Sequence, residues 1–369
     1  MAAKDGDGWA LCARGHQHWG IHGATGLLAV HHTLDGMPYV LLQKRSWWTH
    51  HGGTWALPGG ALDSHEDAIS GALREVREET VLSTDLFRVQ GIYVDDHGGW
   101  SFQTVIAEAA GMLDAAPANG ESVDLRWVAA DEVASKPLHP GFADSWPKLR
   151  PALSPLVLVL DVANIIGSRP EELWWKDRAR AANRLLNEVQ PLATEGLRET
   201  PDGLPELARW FPRIVVVLEG AAAVAADPEA HGTNLSVVVA NGSGDDAIVQ
   251  AVRERKPWER VLVVTADRAL RERVTALGAS PVPAGCSTSS EVRPGTAGRP
   301  RRARGLAVIF TGRPPLSPPL PALVPDLPER VPVRPALGPP GRAVPDHLGR
   351  ATGRGRVRSG SRQVSPRMR

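Results

Sequence analysis

The sequence predicts an α/β protein made of two domains and a disordered tail. Three observations support this prediction. Strand-like apolar runs alternate with helical periodicity over two stretches, residues 1–150 and 155–286. Each stretch has the length of an ordinary domain. The remaining residues, 287–369, are rich in Pro, Arg, Gly and Ser and cannot support a packed core.

The first stretch contains several apolar segments that are typical of strands. Two of them are joined by an Asp-Asp-His-Gly-Gly turn. Segments 129–133 and 142–149 are predicted to form a closing pair of helices. The predicted strands are 23–30, 39–43, 89–94, 102–107 and 123–128.

A helix between these strands carries three carboxylates on one face. Glu75 lies three residues before Glu78 and four before Glu79, and residues at these spacings are neighbours on a helix. Crowded anions need a cation, and ligation by oxygen alone suits Mg²⁺ or Mn²⁺ better than zinc. Without further context, a solvated acidic helix face would be the better interpretation.

The residues around this helix provide that context. A tight turn at Gly59 and Gly60 precedes it, and Ser64 with Asp67 is expected to begin the helix. An apolar stripe would bury the opposite face. This stripe consists of Ala68, Ile69, Ala72, Leu73 and Val76.

Strand, glycine turn, capped helix and carboxylates in this order resemble the box of the Nudix hydrolase family, G-x5-E-x7-R-E-U-x-E-E-x-G-U. The resemblance covers roughly residues 20–150 and implies an α/β/α sandwich. It also implies hydrolysis of a nucleoside diphosphate linked to another group, with water and a divalent metal. The family has glycine where this chain has Val81, and a residue with a Cβ would cost about 1–2 kcal/mol in the left-handed conformation expected there.

The resemblance assigns roles by motif position. Arg74 would pair with Glu66 and hold the loop against the helix, while Gly59 and Gly60 would face the substrate. Glu78 and Glu79 would also serve catalysis. The metal ligands would be Glu75, Glu78 and Glu79.

Two positions outside the box are further candidates. Glu121 precedes a predicted strand where family members often have an extra acid, acting as base or ligand, and an exposed loop acid is an equal alternative. Trp100 follows a Gly-rich turn and could stack on a base. Trp47, Trp48 and Trp55 are weaker candidates, because core packing explains tryptophan at least as well.

The second stretch alternates apolar strands with helices, which predicts a parallel sheet. The predicted strands are 156–161, 214–218, 235–240 and 261–264, and the main helices are 175–189 and 268–277. Ligands bind outside the carboxyl ends of such strands. The acids expected there are Asp161, Glu219, Asp245, Asp246 and Asp267.

This arrangement resembles the NYN branch of the PIN-like ribonucleases over roughly residues 155–285. The resemblance implies that four acids bind Mg²⁺ or Mn²⁺ for RNA cleavage, and that Asn164 contacts substrate. These acids are Asp161, Asp245, Asp246 and Asp267. The chain has Val162 where the family usually has glycine. A doubly wound domain with solvated loop acids is the alternative.

Cysteine content and hydropathy limit the possible environments. Only Cys12 and Cys286 are present, so no disulfide framework is expected. The sequence shows neither a signal peptide nor an apolar run long enough for a bilayer, which predicts a cytoplasmic protein without a membrane partner. The spacing of Cys12, His16, His18 and His22 fits no common zinc site, and we interpret them as ordinary polar residues.

Charge is distributed unevenly along the chain. The whole sequence has 42 basic and 41 acidic residues, and residues 287–369 hold 16 Arg against 4 acids. Residues 1–286 therefore hold 26 basic and 37 acidic residues, a net charge of −11. Only the tail could offer a basic field to nucleic acid. Its composition also resembles high-GC sequence translated out of frame.

Two classes of function remain open. In the first, the chain is a nucleotide pyrophosphohydrolase whose second domain acts on RNA or serves as a scaffold. In the second, it is an RNA-processing protein whose Nudix-like domain senses a nucleotide without cleaving it. The intact carboxylates Glu75, Glu78 and Glu79 favour the first class.

Overall fold

The computed structural model of the protein describes residues 4–169, 175–225 and 234–283. These residues form two main β-sheets with helices packed against them. No helix in these ranges is long and apolar enough to cross a bilayer. The tail, 287–369, lies outside the described residues, so its disorder stays a prediction.

The N-terminal region is built around one mixed sheet. Its strands and helices are β1 (Trp9–Leu11), β2 (Gln17–Trp19), β3 (Ala24–His32), β4 (Pro38–Arg45), β5 (Trp55–Ala56), β6 (Gly59–Ala61), α1 (Ala68–Glu79), β7 (Phe87–Asp96), β8 (Ser101–Ala109), β9 (Ser122–Ala129) and α2 (Pro140–Leu149). Strand β3 is central: it pairs parallel with β8 and antiparallel with β4 and β6. Strands β1 and β2 form a separate hairpin. The five predicted strands are confirmed.

One predicted helix is absent from this region. Residues 129–133 were expected to pair with α2, but they leave β9 and enter a 3-10 turn at Val133–Ser135. The 3-10 turn buries Val133, as an α-helix would. A single buried apolar residue in the sequence therefore could not distinguish a 3-10 turn from an α-helix.

Helix α1 begins three residues later than the Ser64 cap predicted. Asp67 is the N-cap, and its carboxylate accepts a hydrogen bond from the Ser70 amide at 2.8 Å. Ser64 instead donates its hydroxyl to Asp5 at 2.7 Å. The predicted apolar stripe is confirmed as the inner face: three members are buried and two are partly buried against the same cluster.

The end of α1 avoids the strain expected at Val81. Thr80 is the C-cap with an extended φ of −133°, and its amide donates to the Val76 carbonyl. Among the described non-glycine residues only His51 has a positive φ. Val81 therefore occupies the family's glycine position without a left-handed backbone.

The second sheet is parallel throughout, as predicted. The elements of this region are β10 (Leu156–Asp161), α3 (Val162–Gly167), α4 (Arg178–Glu195), β11 (Arg209–Trp210), β12 (Arg213–Leu218), β13 (Leu235–Val239), α5 (Gly244–Arg253), β14 (Arg260–Val264), α6 (Arg268–Ala276) and β15 (Ser280–Val282). The strand order is β13-β12-β10-β14-β15. Strand β15 was not predicted, because it has three residues and contains Pro281.

The two sheets share one hydrophobic cluster. Strand β11 from the second region pairs with β7 of the first sheet, and its Trp210 is fully buried. The Gln90 amide donates to the Leu153 carbonyl at 3.0 Å. The segment between the predicted domains is therefore part of the core and not a linker, while the boundaries near 150 and 155 stay a prediction. Experiments on either region are best done on the full chain.

Candidate active site

An arginine clamp fixes the loop that precedes α1. Arg74 donates from Nε and Nη2 to the two oxygens of Glu66, each at 2.8 Å. Nη2 also donates to the Ala61 carbonyl at 2.9 Å, and Nη1 donates to Glu75 at 2.7 Å. The hydrogen bonds from Arg74 lower the pKa of Glu66. The structure thus brings together the pair expected from the motif, and this fork geometry needs arginine.

The carboxylate of Glu79 lies buried beneath the glycine turn. Its side chain accepts a hydrogen bond from the Gly59 amide at 2.9 Å, and only 3% of the residue is exposed. Burial, followed by the nearby charge of Glu75, raises the pKa of Glu79 to about 8. An ionised group at this position is unfavourable unless a cation shares the site.

Glu75 lies directly against the backbone of the same turn. A Cβ on Gly60 would lie 2.6 Å from its Oε1, so a side chain there would displace this carboxylate. Burial raises the pKa of Glu75 despite its bond to Arg74. Two carboxylates therefore lie close to the backbone of the glycine turn.

Glu78 is oriented differently from the other two carboxylates. It is 40% exposed, and both its oxygens accept hydrogen bonds from Lys4 Nζ at 2.9 Å. Among the described residues, the oxygens of the three carboxylates do not form one group within 4.8 Å. The three carboxylates nevertheless offer only anionic oxygen ligands, and burial disfavours the charged form of two of them. Both properties fit the binding of a hard divalent cation.

Glu121 lies at the edge of this cluster. After burial and Glu75, its charge contributes to the raised pKa of Glu79. Its backbone carbonyl accepts from the Ser46 amide at 2.8 Å, which joins it to the loop after β4. The position is compatible with the extra acid expected there.

Arg45, at the end of β4, interacts electrostatically with this cluster and was not predicted from the sequence. Burial lowers its pKa, and the charges of Glu79 and Glu121 oppose that effect. Its Nε donates to the His50 carbonyl at 3.0 Å. No motif surrounds this position, so the sequence alone gave no signal for it.

The tryptophans differ in their availability to a base. Trp100 stacks on His18 with ring centroids 3.9 Å apart and donates from Nε1 to the Gly20 carbonyl. One face of the predicted stacking residue is therefore occupied. Trp55 is buried in the core, whereas Trp47 is 85% exposed on the loop that follows β4.

The acids of the second sheet meet in a cavity of about 230 Å³ at the carboxyl ends of the strands. Its polar lining consists of Asp161, Asn164, Glu219, Asp245 and Asp267. Asp161 caps α3 and accepts from the Asn164 amide at 3.0 Å and the Thr265 hydroxyl at 2.8 Å. Burial raises the pKa of Asp161, and burial followed by Asp267 raises that of Asp245.

The prediction for Asp246 is wrong in its geometry. Asp246 does not line the cavity; its side chain is 71% exposed and pairs with Arg273 at 2.5 Å. On α5, adjacent residues point about 100° apart, so Asp245 and Asp246 cannot both face the cavity. Glu219 takes the place instead and accepts from the Gly244 amide at 2.7 Å.

Comparison with known protein families identifies the first region. The model of the NUDIX domain matches residues 24–149. A Mycobacterium tuberculosis protein described as a candidate 8-oxo-dGTP diphosphatase 3 is 50% identical over 160 residues, which are 41% of this chain and 73% of that protein.

Two further proteins of the same kind are similar to this chain. A Bifidobacterium longum nucleoside triphosphate pyrophosphatase/Nudix hydrolase fusion protein is 41% identical over 157 residues, 42% of this chain and 33% of that protein. The crystal structure of the Nudix hydrolase RenU from M. smegmatis is 48% identical, covering 39% of this chain and 93% of its own, with a TM-score of 0.37.

Proposed function

The chain belongs to the Nudix family and is a pyrophosphohydrolase, and we propose that it cleaves the diphosphate linkage of oxidised purine nucleoside triphosphates such as 8-oxo-dGTP. The name of its M. tuberculosis relative supports this substrate class. The observation that carries the proposal is the contact of a buried carboxylate, Glu79, and a partly buried one, Glu75, with the glycine turn. Glu79 bonds to the Gly59 amide, and Glu75 fills the space beside Gly60.

The proposed cofactor is Mg²⁺ or Mn²⁺, held by Glu75, Glu78 and Glu79. When bound, the ion neutralises diphosphate charge and lowers the pKa of a bound water. The raised pKa values of Glu75 and Glu79 support this assignment, because a bound divalent ion would offset both the burial and the mutual repulsion that raise them.

The remaining residues of the site have supporting roles in this proposal. Arg74 holds Glu75 and Glu66 in fixed orientations, so the loop and helix present their groups together. Glu121 is positioned at the cluster edge to accept a proton from the attacking water. Trp47, exposed on the adjoining loop, is available to stack on the base.

The Glu78→Gln substitution tests this function. It removes one charge from an exposed helix face, so the melting temperature should stay within a few degrees while turnover falls by more than about 100-fold at limiting Mg²⁺. Glu132→Gln, at an exposed acid outside the site, is the matched control. Release of pyrophosphate or phosphate would be measured with 8-oxo-dGTP and dGTP, and formation of AMP would be measured with ADP-ribose.

Three outcomes of this experiment are informative. Unchanged turnover in Glu78→Gln at limiting Mg²⁺ would contradict the assigned ligand. Preference for dGTP or ADP-ribose over 8-oxo-dGTP would contradict the substrate class. Tight binding of a nucleotide without turnover in the wild-type chain would favour the alternative, a nucleotide sensor attached to an RNA-processing protein.

A second activity is supported by the acidic cavity of the second sheet. We propose that it binds Mn²⁺ or Mg²⁺ and cleaves single-stranded RNA, as the resemblance to the PIN-like ribonucleases implies. Asp161 at the end of β10 meets Glu219, Asp245 and Asp267, which follow three other strands of the sheet. Asn164 fixes the adjoining backbone by accepting from the Ala266 amide at 2.7 Å.

The full chain carrying Asp245→Asn and Asp267→Asn tests this second activity. Both RNA cleavage and part of the Mn²⁺-dependent rise in melting temperature should disappear, since ligand binding stabilises the folded state. Asp246→Asn is the control, because Asp246 faces Arg273 outside the cavity. A wild-type chain that cleaves no RNA, or a double variant that shifts as much as the wild type, would favour a scaffold.

A further inference from the structure

One cysteine and three histidines converge where the β1–β2 hairpin meets the turn between β7 and β8. One ligand atom from each of these side chains lies within 4.8 Å of the others. The four residues are Cys12, His16, His18 and His97. Three of them come from one short segment, while His97 comes from a turn about 80 residues later. No motif in the sequence connects these two segments, which is why their spacing alone did not suggest a zinc site.

The backbone holds the two segments together independently of any metal. The Ala13 amide donates to the Gly98 carbonyl at 2.7 Å, and Arg14 Nη2 donates to the Asp96 carbonyl at 2.7 Å. Within the hairpin, the Cys12 amide donates to the His16 carbonyl at 3.0 Å. The four side chains are therefore brought to one place by ordinary turn geometry.

The polar atoms of this cluster are free to bind. In the described part of the chain, neither His18 Nε2 nor His97 Nδ1 has a hydrogen-bond partner, although both are buried. Cys12 is a free thiol and only 3% exposed. A buried ring nitrogen without a partner is costly, so two of them beside a buried sulfur favour the binding of a metal ion.

A carboxylate orients one of the rings from behind. His97 Nε2 lies 3.1 Å from Asp95 Oδ2, which fixes the proton on Nε2 and leaves Nδ1 as a lone-pair donor facing the cluster. Histidines that bind zinc usually donate their other N–H to such a carboxylate. Trp100 stacks on His18 and fixes the plane of that ring as well.

In the described residues, two other groups of side chains have ligand atoms close enough together to hold a metal ion. The carboxylates of Asp63 and Glu66 are already occupied by the Gly6 amide and by Arg74. In the second group, His50 and His51 are exposed to water and His139 is partly buried. Neither group combines a thiol with buried, unpaired ring nitrogens.

We propose that Cys12, His16, His18 and His97 bind one structural Zn²⁺. The donor set is one thiolate and three imidazoles, the soft and intermediate ligands that zinc takes in four-coordinate sites. All four positions are filled by protein, so the ion is closed to substrate and acts as a cross-link. It ties the N-terminal hairpin to the first sheet, next to the segment whose Lys4 contacts Glu78.

Cobalt substitution in the full chain tests this site. One equivalent of Co²⁺ added to the metal-free protein should give a thiolate-to-cobalt charge-transfer band and the strong visible bands of a tetrahedral ion. Carboxylate sites give neither signal. Cys12→Ser should lose the charge-transfer band, while the matched control Cys286→Ser should keep it. Absence of the band in the wild type, or its survival in Cys12→Ser, would overturn the proposal.

A second measurement covers the case in which Cys12→Ser does not fold. Asp95→Asn leaves all four ligands in place and should weaken zinc binding, measured by competition with a chromophoric chelator, about 10–100-fold. His16→Gln changes an exposed side chain and should also weaken binding by at least 10-fold. Wild-type affinity in both variants, or less than half an equivalent of bound zinc in the wild-type protein after zinc loading and dialysis, would refute the site.

Discussion

Replacing Glu79 with Gln should make the metal-free protein more stable at high pH. The folded-state pKa of Glu79 is raised from 4.5 to about 8 by burial and by the charge of Glu75. Between these two values the folded protein binds more protons than the unfolded chain, so stability falls as pH rises. The stabilising effect of the proton is fully present below pH 4.5 and is lost as pH rises through 8.

The size of this effect follows from the shift. One pKa unit corresponds to about 1.4 kcal/mol, which gives a limit of about 5 kcal/mol for complete ionisation. Between about pH 5 and pH 8.5 the expected change is about 4 kcal/mol. Glu79→Gln keeps an oxygen that can accept from the Gly59 amide but cannot ionise, so its stability should lack this loss.

Urea unfolding of the wild type and the variant in buffer free of divalent cations measures the difference directly. The free energy of unfolding of Glu79→Gln minus that of the wild type should grow by about 4 kcal/mol between pH 5 and 8.5. Glu78→Gln, at a half-exposed position on the same helix, should follow the wild type within about 1 kcal/mol. A pH-independent difference for Glu79→Gln would refute the reasoning.

Three further outcomes are expected. Gly60→Ala should lower turnover at least about 10-fold with little change in melting temperature, because the new Cβ would lie 2.6 Å from the flexible carboxylate of Glu75. Burial lowers the pKa of His32, which stacks on Trp258, from 6.5 to about 4; in urea titrations the free energy of unfolding of His32→Gln minus that of the wild type should therefore stay constant above pH 6.5 and rise by up to about 3 kcal/mol toward pH 4. Deleting residues 287–369 should leave diphosphate turnover within a few-fold of the full chain in the same phosphate-release assay.

Local patterns in the sequence predicted most of the first region. The box placed Arg74 opposite Glu66 and Glu75 beside the glycine turn, and both contacts are present. Such contacts span few residues, so spacing along the chain is enough to infer them. The N-cap was predicted at Ser64, three residues before the actual N-cap at Asp67. Serine and aspartate cap helices equally well, so the sequence did not show that the Ser64 hydroxyl instead bonds to Asp5.

Contacts between distant segments could not be predicted in the same way. The packing of β11 on β7 joins two regions that the sequence presents as separate domains. His97 reaches the hairpin only because the β7–β8 turn folds back on it. At Asp246 the sequence identified the correct strand end, but the helical rotation that turns the side chain away from the cavity depends on where α5 begins.

The three proposed metal sites differ in a way that determines how they can be assayed. The two carboxylate sites offer only oxygen ligands and suit Mg²⁺ or Mn²⁺, which exchange readily with solvent. The site at Cys12 offers sulfur and nitrogen, for which zinc is strongly preferred over both. A strong chelator therefore removes all three ions, whereas dialysis without chelator should remove Mg²⁺ and Mn²⁺ and leave zinc in place. Residues 1–286 carry a net charge of −11. They therefore repel an anionic substrate until Mg²⁺ or Mn²⁺ binds again at the carboxylate sites. Activity lost on dialysis and restored by Mg²⁺ alone would thus separate the catalytic ions from the structural one.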